Sequence, residues 1–194
     1  MPTGEPLPVE FDELLAAEFD YIAQTAIQAN EDRARVSSFY LIAVGSLVAA
    51  MFGTQLFDTD KFTQTVKLMF CGLFLLLTLL GIFTVMQLAR LRTAWHEAML
   101  ALNQIKEFAI QQNPEIAIAF RWQTSTLPPR YKRNSVSYFQ TLQVAMISGL
   151  MFGASAFFFQ QAFFQTSILT WIISAISGLL LISIQMSIYS RLTK

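Results

Sequence analysis

Residues 134–190 read NSVSYFQTLQVAMISGLMFGASAFFFQQAFFQTSILTWIISAISGLLLISIQMSIYS, 57 consecutive positions without an Asp, Glu, Lys or Arg. As one helix this stretch would run about 85 Å, nearly three times the ~30 Å hydrocarbon core of a bilayer. It must therefore double back. Polar neutral residues gather between its two apolar runs at Gln160, Gln161, Gln165, Thr166 and Ser167, so a reversal there predicts helices over about 139–162 and 168–190. Upstream, residues 36–57 and 68–89 are also free of charge, and each is long enough for one crossing. The expected fold class is an all-α membrane protein with four transmembrane helices, at about 36–57, 67–90, 139–162 and 168–190.

Composition agrees with that placement. Only 13% of the 194 residues are charged and 54% are hydrophobic, whereas a soluble domain carries about 25% charge. This excludes a disordered chain, an ordinary cytosolic globule and a nucleic-acid binder that relies on a basic face. Residues 1–30 are acidic and polar, without the basic start and apolar centre of a secretory leader, so the amino terminus is expected to stay in the compartment of synthesis. Of the thirteen basic residues, eleven fall before the first span, between the second and third, or after the fourth, and only Lys61 and Lys67 fall on the other side. By the positive-inside rule both termini are expected in the cytoplasm, in a plasma (inner) membrane. Cys71 is the only cysteine, so no intramolecular disulfide forms and the redox compartment is left open.

The chain also matches itself at an offset of one hundred. Between Arg33 and Phe57, nine of 25 positions are identical to their counterparts, among them Arg33 with Arg133, Val36-Ser37 with Val136-Ser137, and Met51-Phe52-Gly53 with Met151-Phe152-Gly153. Chance matching between apolar segments of this makeup is about one position in ten. Leu79, Leu80, Ile82 and Met86 continue the match as Leu179, Leu180, Ile182 and Met186. The predicted organisation is two tandem helix-plus-hairpin repeats with a cytoplasmic helical bundle. Residues 1–35 would form a cytoplasmic amphipathic helix, 36–90 the first hairpin, 91–133 a cytoplasmic helical segment, 134–190 the second hairpin and 191–194 a cytoplasmic tail. Gly45, Ala49 and Gly53 on the first span, and Ala145, Gly149 and Gly153 on the third, form small-residue ridges that let helix backbones approach closely in lipid. These ridges are expected to pack spans one and three across a pseudo-twofold axis.

Before the first span, Phe11, Leu15, Phe19, Ile22, Ala26 and Ala29 step by threes and fours among seven acidic residues, an amphipathic helix whose acidity favours burial against protein over an anionic lipid surface. After the second span Trp95, Met99, Leu102, Ile105 and Ala109 continue one face as far as Asn113-Pro114. That pair resembles a cap and first-turn proline opening a further short helix through about Gln123. Thr124 to Pro129 reads as a loop. Arg130, Lys132 and Arg133, with Tyr131, read as a topology and headgroup anchor.

The four spans contain no ionisable pair of the kind a proton-coupled transporter or voltage sensor needs. The lone His96 stands in Trp95-His96-Glu97, but Leu100 occupies the place of the second histidine of an HExxH zinc motif. No Gly-rich phosphate loop or GxSxG elbow is present. No enzymatic activity, catalytic residue, metal or cofactor is therefore expected. Among polar groups entering the membrane, Gln185, Ser174 and Ser177 are the candidates for lining a pore or bonding between helices, although serines also bond cheaply to their own helices. Gln185 has more to satisfy and would bond another helix, join subunits or face water. Phe157, Phe158, Phe159, Phe163, Phe164 and Trp171 crowd the outer turn as an interfacial aromatic belt or a hydrophobic gate.

The helix-then-hairpin layout, with Asp32-Arg33-Ala34-Arg35 leading into the first span, resembles the SLATT-type two-span effector domains of bacterial conflict systems. It departs from them in carrying the unit twice with no recognisable nucleotide-sensing domain. The resemblance implies a pore-forming or membrane-disrupting bacterial effector controlled by a partner. The expected function is thus a non-enzymatic, oligomer-forming membrane protein whose cytoplasmic helices control a pore. A membrane anchor for a cytosolic partner and a small-solute channel stand as alternatives.

Overall fold

The computed structural model describes residues 11–53 and 63–194, and every regular element among them is helical. Four long helices, α1 (Phe11–Gly53), α2 (Gln64–Gln112), α3 (Val136–Phe163) and α4 (Ile168–Leu192), follow in chain order. All four are long and apolar enough to cross a bilayer, so the chain is an integral membrane protein. The second hairpin turns over residues 164–167, with the Ser167 and Thr170 side chains closing a capping box at the start of α4. Lys61 and the rest of the first outer turn lie outside the described residues.

The two hairpins differ in length. α1 has 43 residues and α2 has 49, against 28 and 25 in α3 and α4. At ~1.5 Å per residue α1 measures about 65 Å and α2 about 73 Å, so each overshoots a ~30 Å bilayer by more than its thickness. The overshoots run side by side as an antiparallel stalk. Ala26 and Ala29 of α1 and Leu102 of α2 are buried in this pairing, and Lys106 lies 5.9 Å over the Phe19 ring. The apolar stripe of α1 is therefore the face turned to α2.

Beyond the stalk the chain returns to the membrane through two 3-10 turns, Pro114–Ala119 and Thr124–Thr126. Asn113 does accept a bond from the Glu115 amide, with Pro114 at the first position. The helix it opens does not reach Gln123, because Phe120 is already extended at φ −103° and ψ 98°. Six residues with i→i+3 bonding make a tight turn rather than a packing helix. Asn134 takes the left-handed conformation, φ 61°, which Asn tolerates by local bonding, and Ser135 then caps α3 by accepting from the Tyr138 amide.

α3 is the centre of the bundle. Ser148 donates to the Thr78 carbonyl at 3.2 Å and Ser155 to the Cys71 carbonyl at 2.9 Å. The two serines are seven residues apart on α3 and their acceptors seven apart on α2, the step of a left-handed antiparallel coil. Around them pack Val85, Leu88, Val144, Ala145 and Met151, while Phe158 reaches over Phe70 and Phe74 at 5.3 and 5.6 Å.

The small residues of α3 meet α4 rather than α1. A Cβ placed on Gly149 would lie 2.7 Å from the Gly178 carbonyl, one on Gly153 2.8 Å from the Ser174 carbonyl, and one on Gly178 2.7 Å from the Gly149 carbonyl. The expected pairing of spans one and three through their ridges is corrected accordingly. Gly178 offers a second small residue opposite the α3 ridge, so these two backbones come closest, and α1 lies chiefly against α2. On α1, Gly45 has open space at its Cβ position and Ala49 is exposed, while the surroundings of Gly53 lie outside the described residues.

Two substitutions separate these environments. Gly178→Ala drives a methyl into a backbone carbonyl and should cost about 1–3 kcal/mol by overpacking. Gly45→Ala should leave stability unchanged or raise it by about 0.5–1 kcal/mol, the helix-propensity difference. Reversible detergent unfolding of each variant checks both, and equal losses would refute the assignment of the α3 ridge to α4.

Candidate functional site

Two places combine exposure or charge with defined geometry: the stalk, and the collar where the stalk joins the bundle. On the stalk, Leu15, Glu18 and Ile22 of α1 face Ala101, Gln104, Ile105 and Phe108 of α2 across an open groove of about 390 Å³. The groove is apolar because both helices present their stripe residues there, and among the described residues no side chain fills it. Around it Leu14, Tyr21, Ile27, Ile118 and Trp122 are more than half exposed. From 11 to 31 the stalk half of α1 carries Asp12, Glu13, Glu18, Asp20 and Glu31 and no basic residue. Glu107 of α2 holds the Thr124 amide at 3.2 Å, tying the return segment to the stalk.

The collar is polar. Arg33 donates to Asn30 Oδ1 at 3.0 Å and to Gln140 Oε1 at 3.3 Å. Gln140 donates in turn to the Arg33 carbonyl at 3.0 Å and to Ser37 Oγ at 2.7 Å, so one α3 amide clamps α1 where it leaves the stalk. On the neighbouring helix Arg92 donates to the carbonyls of Arg130 and Pro129 at 3.1 and 3.3 Å and lies 4.4 Å over the Trp95 ring. Ser137 and Tyr189 share a bond at 3.1 Å beneath them. Burial lowers the pKa of both arginines, and Arg92 lowers that of Arg33 further by repulsion.

His96 is buried one turn above Arg92. Burial pushes its imidazole below the ordinary value, and Arg130 and Arg92 act in the same direction against weaker opposition from the Pro128 backbone and Glu97. Arg130 pairs with Glu97 at 3.5 Å. Lys132 and Arg133 are exposed, and the bond and charge of Tyr131 raise the Arg133 pKa. The three residues of the expected headgroup anchor thus separate: Arg130 is bridged to Glu97, Arg133 is bonded to Tyr131, and Lys132 is exposed.

Within the membrane the polar residues are turned toward one another. Gln185 is 1% exposed and donates to Ser148 Oγ at 2.7 Å. Ser174 accepts from Gln160 at 3.3 Å, and Ser177 donates to the Ser174 carbonyl at 2.8 Å. Gly81 lets α2 approach this layer, since a Cβ there would lie 2.5 Å from Ser148 and 2.8 Å from the Tyr40 hydroxyl. Near the turn between α3 and α4 the Phe157 and Trp171 rings lie 4.4 Å apart, tilted by 43°.

Sequence reasoning counts Arg92 as a topology marker, and Arg33 as a topology marker, a repeat match to Arg133 and part of the approach to the first span, but neither as a buried group. A better signal was present: Arg33 continues the stripe Ile22, Ala26, Ala29, and Ser37 and Tyr40 follow it by fours and threes, which places a cation on the buried face. Comparison with family models, curated proteins and solved structures returns no match to this chain.

The lowered His96 pKa sets a pH dependence. The unfolded imidazole titrates near 6.5, so below that pH the unfolded chain binds the extra proton first. Stability contributed by neutral His96 should be intact above about pH 6.5 and decline as pH falls through the lowered folded value. Thermal unfolding between pH 7.5 and 5 measures this decline, and His96→Gln should flatten it; an unchanged slope would refute the assignment.

Proposed function

We propose that the chain is a non-enzymatic membrane anchor whose two-helix stalk docks a cytosolic partner and passes the docking event to the spans. One observation carries this reading: α1 and α2 continue unbroken from membrane to stalk and leave an apolar groove open between them. Helix-in-groove recognition needs such a cleft. The acidic α1 beside it favours a basic amphipathic helix as the occupant. The cytoplasmic side for the stalk follows from the basic residues that flank it.

The pore reading has support of its own. Gly45 and Ala49 turn a small-residue face away from the bundle, the type of surface through which a second copy packs in lipid. An assembly built on that face would form its pathway between chains. Within one chain Gln185, Ser148 and Ser174 are engaged with other helices, which favours the anchor.

A photoreactive residue at Gln104, in the groove wall, distinguishes the two. For the anchor, irradiation in cells should yield a protein adduct of discrete mass that Ile105→Glu reduces about ten-fold, the effect of placing a charge in an apolar contact. Liposomes carrying the protein should stay tight to small dyes. Adduct formation unaffected by Ile105→Glu would sink the docking site, and leakage abolished by Gly45→Leu would establish the pore instead.

A further inference from the structure

Arg33 and Arg92 are each 7% exposed, and among the described residues neither lies within ion-pair distance of a carboxylate. Arg33 stands three residues before the uncharged run of the first span and Arg92 three after that of the second, which puts both at headgroup depth. Their polar partners are all neutral: Asn30, Gln140 and two backbone carbonyls. The Arg33 Nε is buried without any partner. Removing two like charges from water with no counter-charge is unfavourable for each ion, and neutral acceptors return only part of that. Arg92 is near enough to Arg33 to repel its charge, and two neighbouring guanidiniums with a donor unused offer the chemistry that a tetrahedral oxyanion accepts.

We propose that Arg33 and Arg92 form a binding site for a phosphate group at the junction of α1, α2 and α3, with Arg33 Nε–H as one of its donors. The phosphodiester of an anionic lipid and inorganic phosphate share the required chemistry. The depth of the pair favours the lipid, whose phosphates lie there at high local concentration. Gln140 bonds the Arg33 guanidinium and the Pro129 and Arg130 carbonyls bond that of Arg92, so these groups position the site. Arg133, the counterpart of Arg33 at an offset of one hundred, is exposed and takes no part. The site stands apart from the stalk groove and does not depend on what docks there.

The full chain in neutral detergent tests this by native mass spectrometry and thermal unfolding with phosphatidylglycerol, phosphatidylcholine or inorganic phosphate. Phosphatidylglycerol should remain bound and raise the melting temperature, whereas phosphatidylcholine should do neither. Arg33→Gln and Arg92→Gln should each reduce retention about ten-fold, the loss of one or two charge-assisted bonds, and Arg133→Gln should not. Without added anion Arg33→Gln should melt no lower than the native chain, because it removes an uncompensated charge; a purely structural arginine would show a loss independent of anion. A response to inorganic phosphate alone supports the site and assigns it to the free ion. The proposal is overturned if the native chain responds to no phosphate compound, or if Arg92→Gln retains phosphatidylglycerol as the native chain does. The first of these needs no variant to fold.

Discussion

The antiparallel contact of α2 with α3 is the constraint on which the other helices depend. In lipid, helices gain nothing from hiding apolar surface, so association rests on close packing and on bonds between helices. The α2–α3 seam supplies both, with serine hydroxyls bonded to carbonyls of the facing helix one heptad apart. α4 then seats on the glycines of α3, and α1 is held along α2 and clamped by Gln140. Each outer helix uses a different device, so the two hairpins pack differently even where their sequences match.

Much of the architecture was legible in the chain. Uncharged runs are a one-dimensional property, so four apolar helices and the reversal near Gln165 could be read from Asp, Glu, Lys and Arg alone. The continuation of α2 as far as Asn113 followed from the 3.6-residue period of its apolar face. Partnering was not legible. Gly149 and Gly153 announce that some backbone comes close, but only the position of Gly178 on a separate helix decides which one. The cap and proline at 113–114 opened a short helix as read, but it is a 3-10 helix that ends at Ala119 instead of reaching Gln123. The collar was half legible, since the stripe placed Arg33 inward but nothing local placed Arg92 beside it.

A division of labour follows between the two ends of the molecule. Inside the membrane, polar groups serve cohesion: Gln185, Ser148, Ser155 and Ser174 bond helix to helix. At the collar, Arg33 and Arg92 are buried against neutral acceptors, and on the stalk Leu14, Tyr21 and Ile27 are exposed.

The absence of Gly or Pro from Phe11 to Val44 in α1, and from Ile82 to Gln112 in α2, has a mechanical meaning. Sharp helix bends arise at such residues or at inserted bulges, so the collar has no built-in joint. A torque applied at the tip of the stalk would be transmitted as axial rotation, turning the seam faces of α1 and α2 together. With one end gripped in a bilayer and the other free in solution, the hairpin is a torsion bar.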